Sequence, residues 1–154
     1  MTNRIPPPLR IQRRPSVLSS RDHRVAVLID YENVSVSAFG DLLDRAAQGG
    51  RVIVKRAYAN WASSSTRKGG LAELGIERIQ VDSTTRGKNA SDIHLAIDAM
   101  ELLNRGAVDC FVIVTKDGDF LHLVRVLRQT GSYVIGAGPR HEASSLLVGA
   151  CDEY

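Results

Sequence analysis

Two aspartates separated by one glycine, Asp117 and Asp119, lie in Thr-Lys-Asp-Gly-Asp-Phe at 115–120, directly after the apolar run Cys-Phe-Val-Ile-Val. Like charges this close raise each other's cost of ionisation unless something positive lies between them. Asp30 poses the same question alone. It closes the aliphatic run Val-Ala-Val-Leu-Ile at 25–29, where a carboxylate is costly to desolvate without a partner. Asp92 opens a helical pattern further along, and Asn33, three residues past Asp30, is a neutral group able to hold water, phosphate or a carboxylate. Oxygen ligands with no Cys or His pattern beside them suit a hard cation such as Mg²⁺ or Mn²⁺. One or two such ions activate water and stabilise in-line displacement at phosphorus.

Each of these residues also has a plainer role open to it. Asp92 and Asp119 fall in first helical turns, where negative charge is favourable, and Asp117 and Asn33 could be N-caps. What caps do not explain is why the carboxylates collect at one place, and that depends on the elements that carry them.

From Arg24 onward, β-branched apolar runs alternate with helical patterns. Strands are expected over Arg24–Asp30, Val52–Ala59, Ile76–Val81, Asp109–Thr115 and Ser132–Ala137. Helices are expected over Ser35–Gln48, Thr66–Leu74, Ser91–Asn104 and Phe120–Gln129, with a last one starting near Glu142. The helix from Ser91 shows Ile93, Ile97, Met100 and Leu103 as one stripe. Strands separated by helical crossovers cannot pair as tight hairpins, so the fold class is α/β, a parallel sheet covered on both faces. In such sheets ligands bind beyond the carboxyl ends of the strands, where the strand order reverses. Asp30, Asp117 and Asp119 all follow strand ends, and a helix after a strand begins at that same edge, which brings Asp92 to it. Asp98 lies six residues past Asp92, about 120° further round a helix, and so anchors structure or makes an outer contact. His94, His122 and His141 are isolated and are not expected to act as bases.

Substrate groups are sought on the loops of the same edge. Arg67, Lys68, Arg86, Lys88 and Lys116 are basic, with Tyr58 and Trp61 after the second strand. An acidic centre with a basic rim fits a phosphodiester better than a phosphorylated small molecule, which stays open, and aromatic faces would suit a single strand.

The chain has 154 residues, 44% hydrophobic and 24% charged, with a net charge of +3, which is ordinary composition for one domain with a proper core. Much of the positive excess sits in residues 1–23, where Arg4, Arg10, Arg13, Arg14 and Arg21 accompany Pro6-Pro7-Pro8. That stretch reads as a disordered basic leader, with the domain over 24–154. The apolar runs are too short to span a bilayer or serve as a signal peptide, so a cytoplasmic protein without membrane contact is expected. Cys110 and Cys151 show no ligand spacing and read as buried thiols.

Three stretches, Ile-Asp-Tyr-Glu-Asn at 29–33, Gly-Lys-Asn-Ala-Ser-Asp-Ile-His-Leu-Ala-Ile-Asp-Ala-Met at 87–100 and Val-Ile-Val-Thr-Lys-Asp-Gly-Asp-Phe at 112–120, taken in this order, resemble the NYN domain, the LabA-like branch of the PIN-like nucleases. The similarity spans about residues 24–151. It implies a PIN-like three-layer sandwich with a central, mostly parallel sheet of about five strands, and a divalent-metal ribonuclease site. Asp30, Asp92 and Asp117 match the family's core acidic positions, Asp119 the second acid of its Ser-x-Asp-x-Asp-Phe type motif, and Asn33 its asparagine after the first strand. Asp98 matches an acidic position further along the helix. Thr115 stands where the family often has Ser and is assigned with Asp98 to the outer shell, while Lys116 replaces a small residue.

The expected function is therefore a metal-dependent endoribonuclease in which Asp30, Asp92, Asp117 and Asp119 hold Mg²⁺ or Mn²⁺ and Asn33 orients substrate or water. Single-stranded RNA is the expected partner, and pairing of two chains is left open. The rival is an RNA-binding or regulatory module of the same fold with little or no turnover. A haloacid dehalogenase phosphatase is disfavoured because Asp-Tyr-Glu-Asn-Val stands where that family has Asp-x-Asp-x-Thr.

Overall fold

The computed structural model describes residues 23–34, 39–63, 70–82 and 89–154. Five strands form one parallel sheet: β1 (Arg24–Asp30), β2 (Arg51–Ala59), β3 (Glu77–Gln80), β4 (Cys110–Val114) and β5 (Tyr133–Ala137), in the order β3-β2-β1-β4-β5. Four α-helices accompany them: α1 (Phe39–Gln48), α2 (Ala90–Asn104), α3 (Leu121–Gln129) and α4 (Ser145–Ala150). The chain winds outward from β1 through β2 to β3, then returns to the other side of β1 for β4 and β5. The order reverses between β1 and β4.

The period of two along each strand divides the core. Ala26 and Leu28 of β1, with Phe111 and Ile113 of β4, pack on the face covered by α2 and α3 through Leu95, Ala99, Leu102, Val124 and Leu127. Val25, Val27 and Ile29, with Val112 and Val114, pack on the other face with Phe39 and Ala46 of α1. Both faces being buried is why these strands are apolar throughout rather than alternating. The same alternation sets the next residues. Asp30 continues the Ala26, Leu28 series and Thr115 the Phe111, Ile113 series, so both side chains belong to the α2 face.

Several expected elements differ at their ends. Residues 70–75, expected to close a helix begun at Thr66, form turns, and 64–69 lie outside the described residues. The helix expected from Ser35 is described from Phe39, with 35–38 outside. The segment 118–120 is a single 3₁₀ turn ahead of α3, and α4 starts at Ser145 rather than near Glu142. The expected leader, residues 1–23, lies outside the described residues apart from His23.

The apolar stripe of α2 divides, with Met100 and Leu103 half-buried against the core and Ile93 and Ile97 facing out. Ile93 and Ile97 are 59% and 60% exposed, whereas Ser91, Asp92, Leu95, Ala99 and Leu102 form the buried side. Both sets satisfy a helical period, and the side carrying Leu95, Ala99 and Leu102 is the one packed on the sheet.

Candidate metal centre

Asp30 ends β1 at 1% exposure. Its Oδ2 accepts from Asn33 Nδ2 at 2.9 Å and from Thr115 Oγ1 at 3.0 Å, and its Oδ1 has no hydrogen-bond partner among the described residues. Thr115 Oγ1 in turn accepts from the Asp117 backbone N–H at 3.1 Å. One threonine thus couples the end of β1 to the turn after β4, across the point where the strand order reverses.

Asp117 Oδ1 accepts from the Asp119 backbone N–H at 2.9 Å, so the capping role open to Asp117 is realised. Asn33 is not a cap; it is spent on Asp30. Asp92 sits in the first turn of α2 at 9% exposure, and its Oδ1 lacks a partner among the described residues. Carboxylate oxygens of Asp92, Asp117 and Asp119 all lie within 4.8 Å of one another. Asp30 stands beside this triad and outside that limit.

The electrostatics follow from the crowding. Burial pushes the Asp92 carboxyl up to about 7, reinforced by the charges of Asp30, Asp117, Asp119 and Glu32. Asp30 is also raised, first by burial, then opposed by the bonds from Asn33 and Thr115 and reinforced by Asp117 and Glu32. A buried carboxylate oxygen without a donor is strongly disfavoured, and two of them occur here, at Asp30 and Asp92. A hard divalent cation would supply what these oxygens lack. The donor set, all carboxylate, with the side-chain amide of Asn33 and the Thr115 hydroxyl held behind it, fits Mg²⁺ or Mn²⁺ and offers nothing that would favour a thiophilic metal.

The other expected residues divide. Asp98 accepts from Tyr58 Oη at 2.7 Å, with the Arg56 guanidinium at 3.6 Å, which fastens α2 to β2 away from the triad. Lys116 donates to Glu142 at 2.9 Å, an ion pair within the rim. Trp61 is corrected as a stacking face. It is 6% exposed, packs on Tyr31 with ring centroids 4.6 Å apart and donates its indole N–H to the Ile79 carbonyl. A stacking surface needs a free ring face, and the core on the α1 side occupies this one. Arg67, Lys68, Arg86 and Lys88 lie outside the described residues.

Two residues not singled out as site residues add to the centre. Glu32, within the same Asp-Tyr-Glu-Asn stretch, contributes charge to both Asp30 and Asp92 and accepts from the Asn60 backbone N–H at 2.9 Å. Ser91, immediately before Asp92, is buried with its Oγ unpartnered among the described residues. Its position next to an acid in a first helical turn was the available signal.

The NYN domain family model matches residues 24–154. An uncharacterized protein of Methanocaldococcus jannaschii is 29% identical over 136 residues, covering 85% of this chain and 54% of that protein. The chain therefore spans about half the length of that relative. A crystal structure of a protein of unknown function from Vibrio parahaemolyticus superposes with a TM-score of 0.68 at 22% identity, covering 88% of this chain and 93% of that one. That likeness concerns the fold.

Proposed function

The chain belongs to the NYN domain family, within the PIN-like nuclease superfamily, and from that premise we propose that it is a divalent-metal-dependent endoribonuclease working at the Asp92, Asp117, Asp119 centre. The observation that carries the proposal is the pairing of this triad, within 4.8 Å, with unpartnered buried oxygens on Asp30 and Asp92. Structural carboxylates would be expected to find donors; these await a cation.

Asp92, Asp117 and Asp119 would hold Mg²⁺ or Mn²⁺. When bound, the cation supplies a more acidic attacking water and offsets charge that develops on the phosphate. Asp30 lies beside the triad with its Oδ2 fixed by Asn33 and Thr115, so its Oδ1 is kept in one place rather than swinging between rotamers. Thr115 also fixes the Asp117 backbone, and the Asp117 carboxylate fixes that of Asp119. These bonds preorganise the oxygens before substrate arrives, which is the form of catalysis a rigid sheet edge can provide. Hydrolysis adds water oxygen to phosphorus, breaks the bond from phosphorus to the 3′ oxygen and returns a proton to that oxygen. Single-stranded RNA is the proposed substrate, with phosphates bound by basic residues such as Arg86 and Lys88, four and two residues before α2 in sequence.

End analysis of a labelled single-stranded RNA incubated with Mn²⁺, with Mg²⁺ and with chelator tests the chemistry. The expected products carry 5′-phosphate and 3′-hydroxyl ends and form only with metal. A 2′,3′-cyclic phosphate formed in chelator would overturn the proposal.

A further inference from the structure

A groove of about 640 Å³ runs between α2 and α3 and opens onto the acidic centre, sharing Asp92 and Asp119 with it. Its walls are apolar: Ile93, Ala96 and Met100 from α2 face Leu123 and Val126 from α3, and Asn89 and His122 add polar groups. Nothing in the metal chemistry uses this groove. It also explains the outward stripe of α2, since Ile93 is exposed because its neighbour on that side is the groove and not the sheet.

We propose that this groove is a nucleobase subsite that receives the base adjoining the phosphodiester held at the acidic centre, an assignment that rests on the nuclease reading above. A nucleotide is joined to its phosphate through a single ribose, so a phosphate at Asp92 and Asp119 delivers a base to the mouth of the groove. The heterocycle's faces match the aliphatic walls, and covering exposed Ile93 is favourable in proportion to the area removed from water. Its polar edge needs donors and acceptors, which the Asn89 amide and the His122 imidazole nitrogens can offer. The volume leaves room for the sugar as well as the base. An apolar segment of another protein would fit the walls less well. It would cover the carboxylates of Asp92 and Asp119 and strip them of water with nothing in return, whereas a nucleotide brings a phosphate that a cation can bridge.

The test uses single-stranded RNAs of one sequence, intact or carrying one abasic nucleotide at each position in turn. Binding by fluorescence anisotropy and cleavage are both measured in Mn²⁺ with the parent, Ala96→Phe and Val126→Phe, the variants filling the groove from opposite walls. Mn²⁺ affinity, measured for each protein, shows whether the centre is intact. In the parent, an abasic nucleotide beside a cleaved bond is expected to weaken binding and slow cleavage about tenfold. The filled variants are expected to bind intact RNA about tenfold more weakly and to lose the distinction between intact and abasic RNA. If RNA is bound with this base dependence but never cut, the subsite stands and the nuclease reading falls. If RNA is cut with no effect of abasic positions or groove filling, the subsite is overturned and the nuclease reading stands.

Discussion

Burial and four neighbouring carboxylates hold Asp92 at about 7 when no cation is present, against an ordinary value of 3.8. The folded chain therefore binds more protons at this residue than the unfolded chain between those two values, and stability falls as pH rises through that window. Below about pH 4 the penalty is absent, and above about pH 7 it is fully present. Asp92→Asn removes it, so the metal-free variant should be more stable than the metal-free parent at pH 8 by roughly 1–3 kcal/mol, and about equal to it at pH 4. Chemical denaturation at the two pH values reads this directly, and a variant less stable than the parent at pH 8 would argue that Asp92 has a structural partner. The individual acids were legible because each follows a strand end or opens a helix. Trp61 was not, because its burial depends on Tyr31 and Ile79, and local sequence gives no sign of a ring's far-off neighbours.

At the scale of elements, the sheet edge is braced from behind. The segment after α4 returns along β5, where Ile135 bridges Glu153 and Tyr154 Oη donates to the Thr115 carbonyl at 2.9 Å. Thr115 is the residue that links Asp30 to Asp117, so this return strap supports the centre. It needs Gly136: a Cβ there would stand 2.4 Å from the Tyr154 ring and 2.8 Å from Cys151 Sγ. Gly136→Ala is expected to cost about 1–3 kcal/mol by forcing the strap away. Thermal melting of this variant beside Gly149→Ala, where a Cβ meets nothing within 4 Å, separates the contact from any general effect of replacing glycine. Equal melting temperatures would contradict the bracing. The strands were legible as apolar runs bounded by turn residues, and Arg24–Asp30 was read to the residue. The inward side of α2 was not, since 93, 97, 100 and 103 and the buried set 92, 95, 99 and 102 are neighbouring stripes of the same period. Period alone does not choose between them.

Across the whole molecule, the strand order β3-β2-β1-β4-β5 does the assembling. Residues 30, 92, 117 and 119 come from three distant segments, and the reversal beside β1 brings them to one edge. Alternating strands and helices made the parallel sheet legible, but the order of strands rests on contacts between segments, which periodicity does not report. Among the described residues no helix is long and apolar enough to cross a membrane. Because a cation would bind the folded chain and not the unfolded one, Mn²⁺ should raise the melting temperature of the parent, by the equivalent of about 2.7 kcal/mol at a hundredfold excess over Kd. Asp117→Asn should abolish most of that rise; an equal rise in parent and variant would place the ion elsewhere.

The most direct test of the account is the cleavage rate of one labelled single-stranded RNA by the parent, Asp92→Asn and Asp117→Asn, in Mn²⁺ and in chelator, with circular dichroism confirming that each is folded. The account predicts cutting by the parent in Mn²⁺, none in chelator, and losses on the order of a hundredfold or more in both variants. Folded variants that cut at the parental rate, or a parent indifferent to chelator, would contradict it.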